Sequence, residues 1–165
     1  MTTQPTIQVD VWGIIDRNTG RLIIRAYEKL NDDASGRRQK GPASADEVHP
    51  FVEEWAIKGT IICSDRLRAY RDHLESMGYR WYGTNHSIGE YVRSESVIVR
   101  QKKRPLPVHS QGIDSIWRHM KDWMAKHAFH SLAYPFFVLE WQWRYNNQDA
   151  DRFLLLLEYL ATNPF

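Results

Sequence analysis

Apolar and polar positions alternate from Ile7 to Ile15. Ile7, Val9, Val11 and Ile15 fall on one face, and Gln8, Asp10, Trp12 and Ile14 on the other, a period of two that predicts a strand. The turn residues Asp16-Arg-Asn-Thr-Gly20 and a second β-rich run, Arg21–Lys29, complete a predicted hairpin. Asn31–Ala45, which contains Ser35-Gly-Arg-Arg-Gln-Lys-Gly-Pro42, is polar and broken by Gly and Pro, the composition of a flexible insertion. A short helix is predicted over Asp46–Lys58 and a strand over Gly59–Ser64. Leu67, Tyr70 and Leu74 give Arg66–Met77 a helical period that Gly78 stops.

Tyr79–Thr84 reads as a further strand. Residues 85–107 read as loop around the β-rich Ser96–Arg100, with 93–108 a basic loop. A helix then starts near Ile113, with Ile113, Ile116, Trp117, Met120 and Trp123 on one stripe. Two more helices are predicted over Ser131–Tyr145 and Asp149–Thr162. No internal repeat is visible, and strands alternate loosely with helices, which gives a mixed α/β class.

At 165 residues the chain has the length of one domain with a real core. Its 22 Lys and Arg against 20 Asp and Glu leave a net charge of +2, so nucleic-acid affinity has to come from local patches. The single Cys63 excludes an internal disulfide and a CxxC metal motif. No apolar run reaches the length of a membrane span. The start, Met1-Thr-Thr-Gln-Pro5, has neither a signal-peptide nor a transit-peptide pattern, so a soluble, intracellular protein is expected, its compartment open. The seven Trp and eight Tyr are expected to build a tight core.

Two acids stand where a rigid backbone would hold them. Asp65 ends the buried-looking strand Thr60-Ile-Ile-Cys-Ser64, and Asp114 lies in the first turn of a helix. Each has a plainer reading. Asp65 or Ser64 can cap the next helix, and Asp114 can favour the helix dipole and pair with Arg118. Asp10 is a third candidate, because Asp is disfavoured inside a strand and a covered Asp needs a metal, a cation or hydrogen-bond donors. His86 and His109 flank these acids and can contact phosphate or make structural hydrogen bonds. The basic run with Arg100, Lys102, Lys103 and Arg104 can track a phosphate backbone or be a solvated surface. Trp141, Trp143 and Arg144 can stack on bases, with helix packing as the alternative. There is no HExxH, GxSxG, GxxxxGK[ST] or GxGxxG, which removes the common zinc, hydrolase and nucleotide-fold signatures.

Several segments, in order, resemble the Merlin-related (ISXO2-like) DDE transposase domain of the RNase H-like integrase superfamily. They are Val11-Trp-Gly-Ile-Ile-Asp-Arg-Asn-Thr-Gly20; Gly59-Thr-Ile-Ile-Cys-Ser-Asp-Arg-Leu-Arg-Ala-Tyr70; Gly78-Tyr79; Asn85-His-Ser87; Tyr91-Val92; His109-Ser-Gln-Gly-Ile-Asp-Ser-Ile-Trp117 with Lys121; and Trp143-Arg-Tyr-Asn146. Together they span residues 11–146.

The resemblance implies a single RNase H-like domain with a mixed sheet and extra C-terminal helices. It also implies a catalytic, metal-binding set in which Asp65 matches the second acid and Asp114 falls where the family has Glu, one methylene longer. His109 and His86 match motif histidines as auxiliaries. The first acid is expected on a strand preceding Val11, yet only ten residues come before it. The resemblance therefore implies a sheet expected to be short of one of its first three strands: either Ile7–Ile15 has become the central strand and Asp10 its acid, or another protein chain completes the sheet. Nor is a counterpart of the family's N-terminal DNA-binding domain expected in these 165 residues. Two functions follow as expectations. One is a domesticated, catalytically degenerate domain that binds nucleic acid (DNA or RNA) or protein within a larger assembly. The other is an active DNA transposase or nuclease, with Asp10, Asp65 and Asp114 holding two Mg²⁺ or Mn²⁺ ions; without that activity no cofactor is expected.

Overall fold

The computed structural model describes residues 8–29, 45–65, 68–127 and 133–163. These described residues are mixed α/β, with six strands, which pair two by two, and five α-helices among them. Residue contacts divide the chain into two compact units. The first is Met1–Arg38 with His119–Phe165, and the second is Gln39–Arg118. The expected insertion lies outside the described residues, apart from Ala45, where the first helix begins.

In the first unit, β1 (Gln8–Ile15) and β2 (Leu22–Lys29) form the predicted antiparallel hairpin, with Ile15 opposite Leu22 and Asp10 opposite Tyr27. The turn closes as its residues dictate. Asp16 accepts from the Asn18 amide at 2.8 Å and the Thr19 hydroxyl at 2.9 Å, and Gly20 takes a φ of 72°, a region costly to most other residues. Those bonds, the Asn18 amide first and the Thr19 hydroxyl next, hold the Asp16 carboxyl below its ordinary value. Leu22 and Ile24 are fully buried, each such side chain contributing roughly 1.5–3 kcal/mol.

Helix α4 (Tyr134–Asn146) packs on β2 and buries Val138 and Trp141. Its amides also close the far edge of that strand. Asn146 accepts from the Leu22 amide and donates to the Leu22 carbonyl, both at 2.8 Å, and Gln142 accepts from the Ile24 amide. The match is geometric: four residues of helix rise about 6 Å and two residues of strand about 6.6 Å. An i, i+4 pair of amides therefore reaches alternate backbone groups of β2, which would otherwise stay unpaired at about 1–3 kcal/mol each where buried. Helix α5 (Arg152–Thr162), capped by Asp151, buries none of its residues. Phe153, Leu154, Leu156, Leu157, Tyr159 and Leu160 all stand exposed on it.

In the second unit, β3 (Ile61–Asp65) and β4 (Arg80–Thr84) pair in parallel, joined by α2 (Arg68–Ser76). Gly78, at φ 89°, turns the chain from α2 into β4. Helix α1 (Ala45–Trp55) packs on α2, where the His49 and His73 rings meet with 2.6 Å between Nδ1 and Nε2. The core of this unit contains Phe51, Val52, Leu74, Tyr79, Trp81, Val97, Val108 and Ile116. Helix α3 (Gln111–Ala125) carries the predicted apolar stripe, and the boundary between the units falls inside it.

The segment expected as a basic loop is instead a hairpin, β5 (Arg93–Val99) with β6 (Lys102–Val108). Its two-residue turn, Arg100-Gln101, has both φ values positive, at 49° and 63°. That is turn geometry usually marked by Asn or Gly. Pro105 and Pro107 sit opposite Ser96 and Ser94, alternate positions where an antiparallel ladder needs no N–H from the strand.

Candidate functional site

From the C-terminal ends of β3 and β4, a series of pairings links three of the predicted residues, Asp65, His86 and Asp114. Asp65 ends β3 and is paired in register with Thr84, the fully buried last residue of β4. The Thr84 hydroxyl lies 3.3 Å from His86 Nε2, and the same nitrogen lies 3.3 Å from Ser110 Oγ. Ser110 donates to Asp114 Oδ2 at 2.7 Å.

Local sequence explains each placement. Asn85 caps the short 3-10 turn His86–Ile88, accepting from the amide and the hydroxyl of Ser87 at 3.2 and 2.6 Å. Glu90 receives the Asn85 amide at 3.0 Å, closing the turn behind it. His86 is thus fixed between β4 and α3, against the Tyr91 ring at 5.1 Å. Ser110 precedes α3 and its carbonyl accepts the Asp114 amide, the first bond of the helix. With its one proton committed to Asp114, the Ser110 hydroxyl can only accept from His86. The direction of donation therefore runs His86 to Ser110 to Asp114.

The other predicted residues are placed as follows. Asp10 is half-buried on β1 in the first unit. His109 is half-buried just before α3. Asp65 is exposed, and its carboxylate has no hydrogen-bond or ionic partner among the described residues. Arg100, Lys102, Lys103 and Arg104 are all exposed at the tip and along the second strand of the β5–β6 hairpin. Trp141 is buried as a core residue, while Arg144 is paired with Glu140 at 2.8 Å.

Thr84 and Glu90 had no signal of their own in the sequence. The importance of Thr84 follows from the parallel register with Asp65, which no local pattern reveals. A hard cation such as Mg²⁺ takes oxygen ligands, commonly one or two carboxylates with water and phosphate completing the shell. The carboxylates near these strand ends are Asp65, Glu90, which accepts the Asn85 amide, and Asp114, which accepts from Ser110. Among the described residues, no group of three or more His, Cys, Asp or Glu is placed to hold a metal. No described helix is long and apolar enough to cross a membrane. No protein-family model, curated protein or solved structure matches the chain.

Proposed function

We propose that the chain is a domesticated, transposase-derived domain of RNase H-like fold whose strand-cleaving chemistry is retired. In this reading it serves as a nucleic-acid- or protein-binding subunit of a larger assembly. One observation carries the proposal: Asp114 is engaged by Ser110 at 2.7 Å, and Ser110 by His86. The acid that would ligate a metal instead fastens the first turn of α3, and its shorter side chain limits its reach. Two surfaces suit an assembly role. Six large apolar side chains stand exposed on α5 alone, more than a solitary monomer usually leaves uncovered on one helix. The basic hairpin tip at Arg100–Arg104 offers charges to a phosphate backbone.

The exposed Asp65, unpartnered among the described residues, favours the second reading, an active DDE-type nuclease or transposase with Asp65 and Asp114 among its acids. A bound Mg²⁺ or Mn²⁺ would supply Lewis acidity for displacement at phosphorus. Asp65 and Asp114 would hold it from the strand end and the helix turn. Incubation of the full chain with Mn²⁺ and labelled duplex or branched DNA separates the two readings. Retired chemistry predicts no nicking above a protein-free control. Nicking that disappears in Asp65→Ala overturns the proposal. For the binding role, duplex affinity should fall steeply with salt, and Arg104→Gln should reduce the slope by about one. An affinity indifferent to salt removes the phosphate-tracking surface.

A further inference from the structure

At the opposite end of β4 from Thr84, about 13 Å away at ~3.3 Å per residue, the second unit has a cleft of about 470 Å³. Three guanidinium groups line it: Arg71 from α2, Arg80 from β4 and Arg93 from β5. Two carboxylates share the cleft, but neither neutralises its arginine closely. Arg71 Nε lies 3.7 Å from Glu75 and Arg93 Nη2 lies 3.3 Å from Glu95, both longer than the roughly 2.7–2.9 Å of a strong charged hydrogen bond. Arg80 is held in place by donating to the Ile98 carbonyl at 3.0 Å. Arg93 Nε is buried with no acceptor among the described residues, while 28% of the side chain stays exposed.

We infer that this cleft is an oxyanion site that takes a phosphate group. A guanidinium whose donors are incompletely satisfied gains from a further acceptor, and a tetrahedral oxyanion brings several such oxygens to the exposed part of the cleft. Arginine presents its donors as a planar fork that matches phosphate. Three such forks against two loosely engaged carboxylates leave an excess of one positive charge facing the cleft. Strand ends and a helix anchor the three, so the donors are held in position before the anion arrives. The phosphate comes either as the free ion or as part of a nucleic-acid backbone, and the chemistry of recognition is the same for both. The inference does not depend on the reading of the Asp65–Asp114 end, because it shares no residue with it.

The test is titration of the full chain with inorganic phosphate, followed by amide NMR shifts, and with a fluorescent single-stranded oligonucleotide at low salt. Saturable phosphate binding is expected, with shifts centred on Arg80 and Arg93. Arg93→Gln should weaken it by roughly tenfold or more, the scale of one lost charged hydrogen bond. Arg93→Lys should recover only part of the loss, because Lys keeps the charge but not the fork. Lys126→Gln, at an exposed position of the first unit, should change nothing. If phosphate displaces the oligonucleotide, the site receives a nucleic-acid backbone. If phosphate binds and the oligonucleotide is not displaced, the site receives the free anion. The inference is overturned if wild type shows no saturable binding of either probe. It is equally overturned if a folded Arg93→Gln, with wild-type circular dichroism and melting, binds phosphate as wild type does.

Discussion

The far edge of β2 in the first unit and the strand ends of β3 and β4 in the second both gather polar side chains, but they use them differently. On β2, Asn146 and Gln142 spend their amides on backbone groups of Leu22 and Ile24. The partners are fixed atoms of the main chain, at a spacing set by helix and strand repeats, and chemistry has no part in it. At the ends of β3 and β4, side chains bond to side chains, from His86 through Ser110 to Asp114, with Asp65 beside them still open. Amides that complete a ladder are architecture. A relay of imidazole, hydroxyl and carboxylate ties side chain to side chain, and here it holds the first turn of a helix.

The largest test of that contrast is Asn146→Leu. It removes a donor and an acceptor from the two backbone groups of Leu22 at once, so a loss of about 2–4 kcal/mol in unfolding free energy is expected. Denaturant unfolding measures it, and amide exchange at Leu22 should quicken with it. A loss of only a few tenths would show that water replaces the clamp, and the edge would then not be architectural. Gln142→Leu deletes a single acceptor, for the Ile24 amide alone, and should cost about 1–2 kcal/mol. If it costs as much as Asn146→Leu, the two amides do not act as separate strand contacts.

In the second unit, Ser110→Ala removes the hydroxyl between His86 and Asp114 and should cost about 1 kcal/mol, the usual scale for a residue at a helix start. The more telling readout is DNA cleavage in Mn²⁺. If the relay is purely structural, Ser110→Ala stays as inert as wild type. Cleavage gained by releasing Asp114 would show that the chemistry was masked and not lost.

The hairpin β1–β2 was legible because alternation and a turn with Asp16, Asn18 and Gly20 point the same way. The helix stripe from Ile113 to Trp123 was legible for the same reason: one period governs it. The hairpin β5–β6 was not. Its turn is Arg100-Gln101 without Asn or Gly, and β6 reads Lys-Lys-Arg-Pro-Leu-Pro, charged and twice broken by Pro. Only the register, which sets both prolines where no N–H is required, reconciles that composition with a strand. At the candidate site, Asp65 and Asp114 could be picked out as acids on rigid elements. Thr84 could not, since its place beside Asp65 is a property of the parallel pairing. Asn146, quoted in the sequence as the end of a W-R-Y-N motif, gave no sign that its partner would be a backbone 124 residues away.

The smallest effect belongs to Asp16, which holds only an exposed turn of the first hairpin. Its carboxylate is stabilised by the Asn18 amide and then the Thr19 hydroxyl, so its folded-state value lies below the ordinary 3.8. A group with a lowered folded value contributes stability above its unfolded value and loses it as pH falls through the folded one. Wild type should therefore exceed Asp16→Asn slightly in stability at neutral pH, with the gap closing only in acid below 3.8. Paired denaturation curves taken at neutral pH and at successive acid points measure the gap. A gap that widens in acid would reverse the sign of the linkage. A gap as large as that of Asn146→Leu would mean the hairpin is held by its turn, leaving the α4 amides a secondary role.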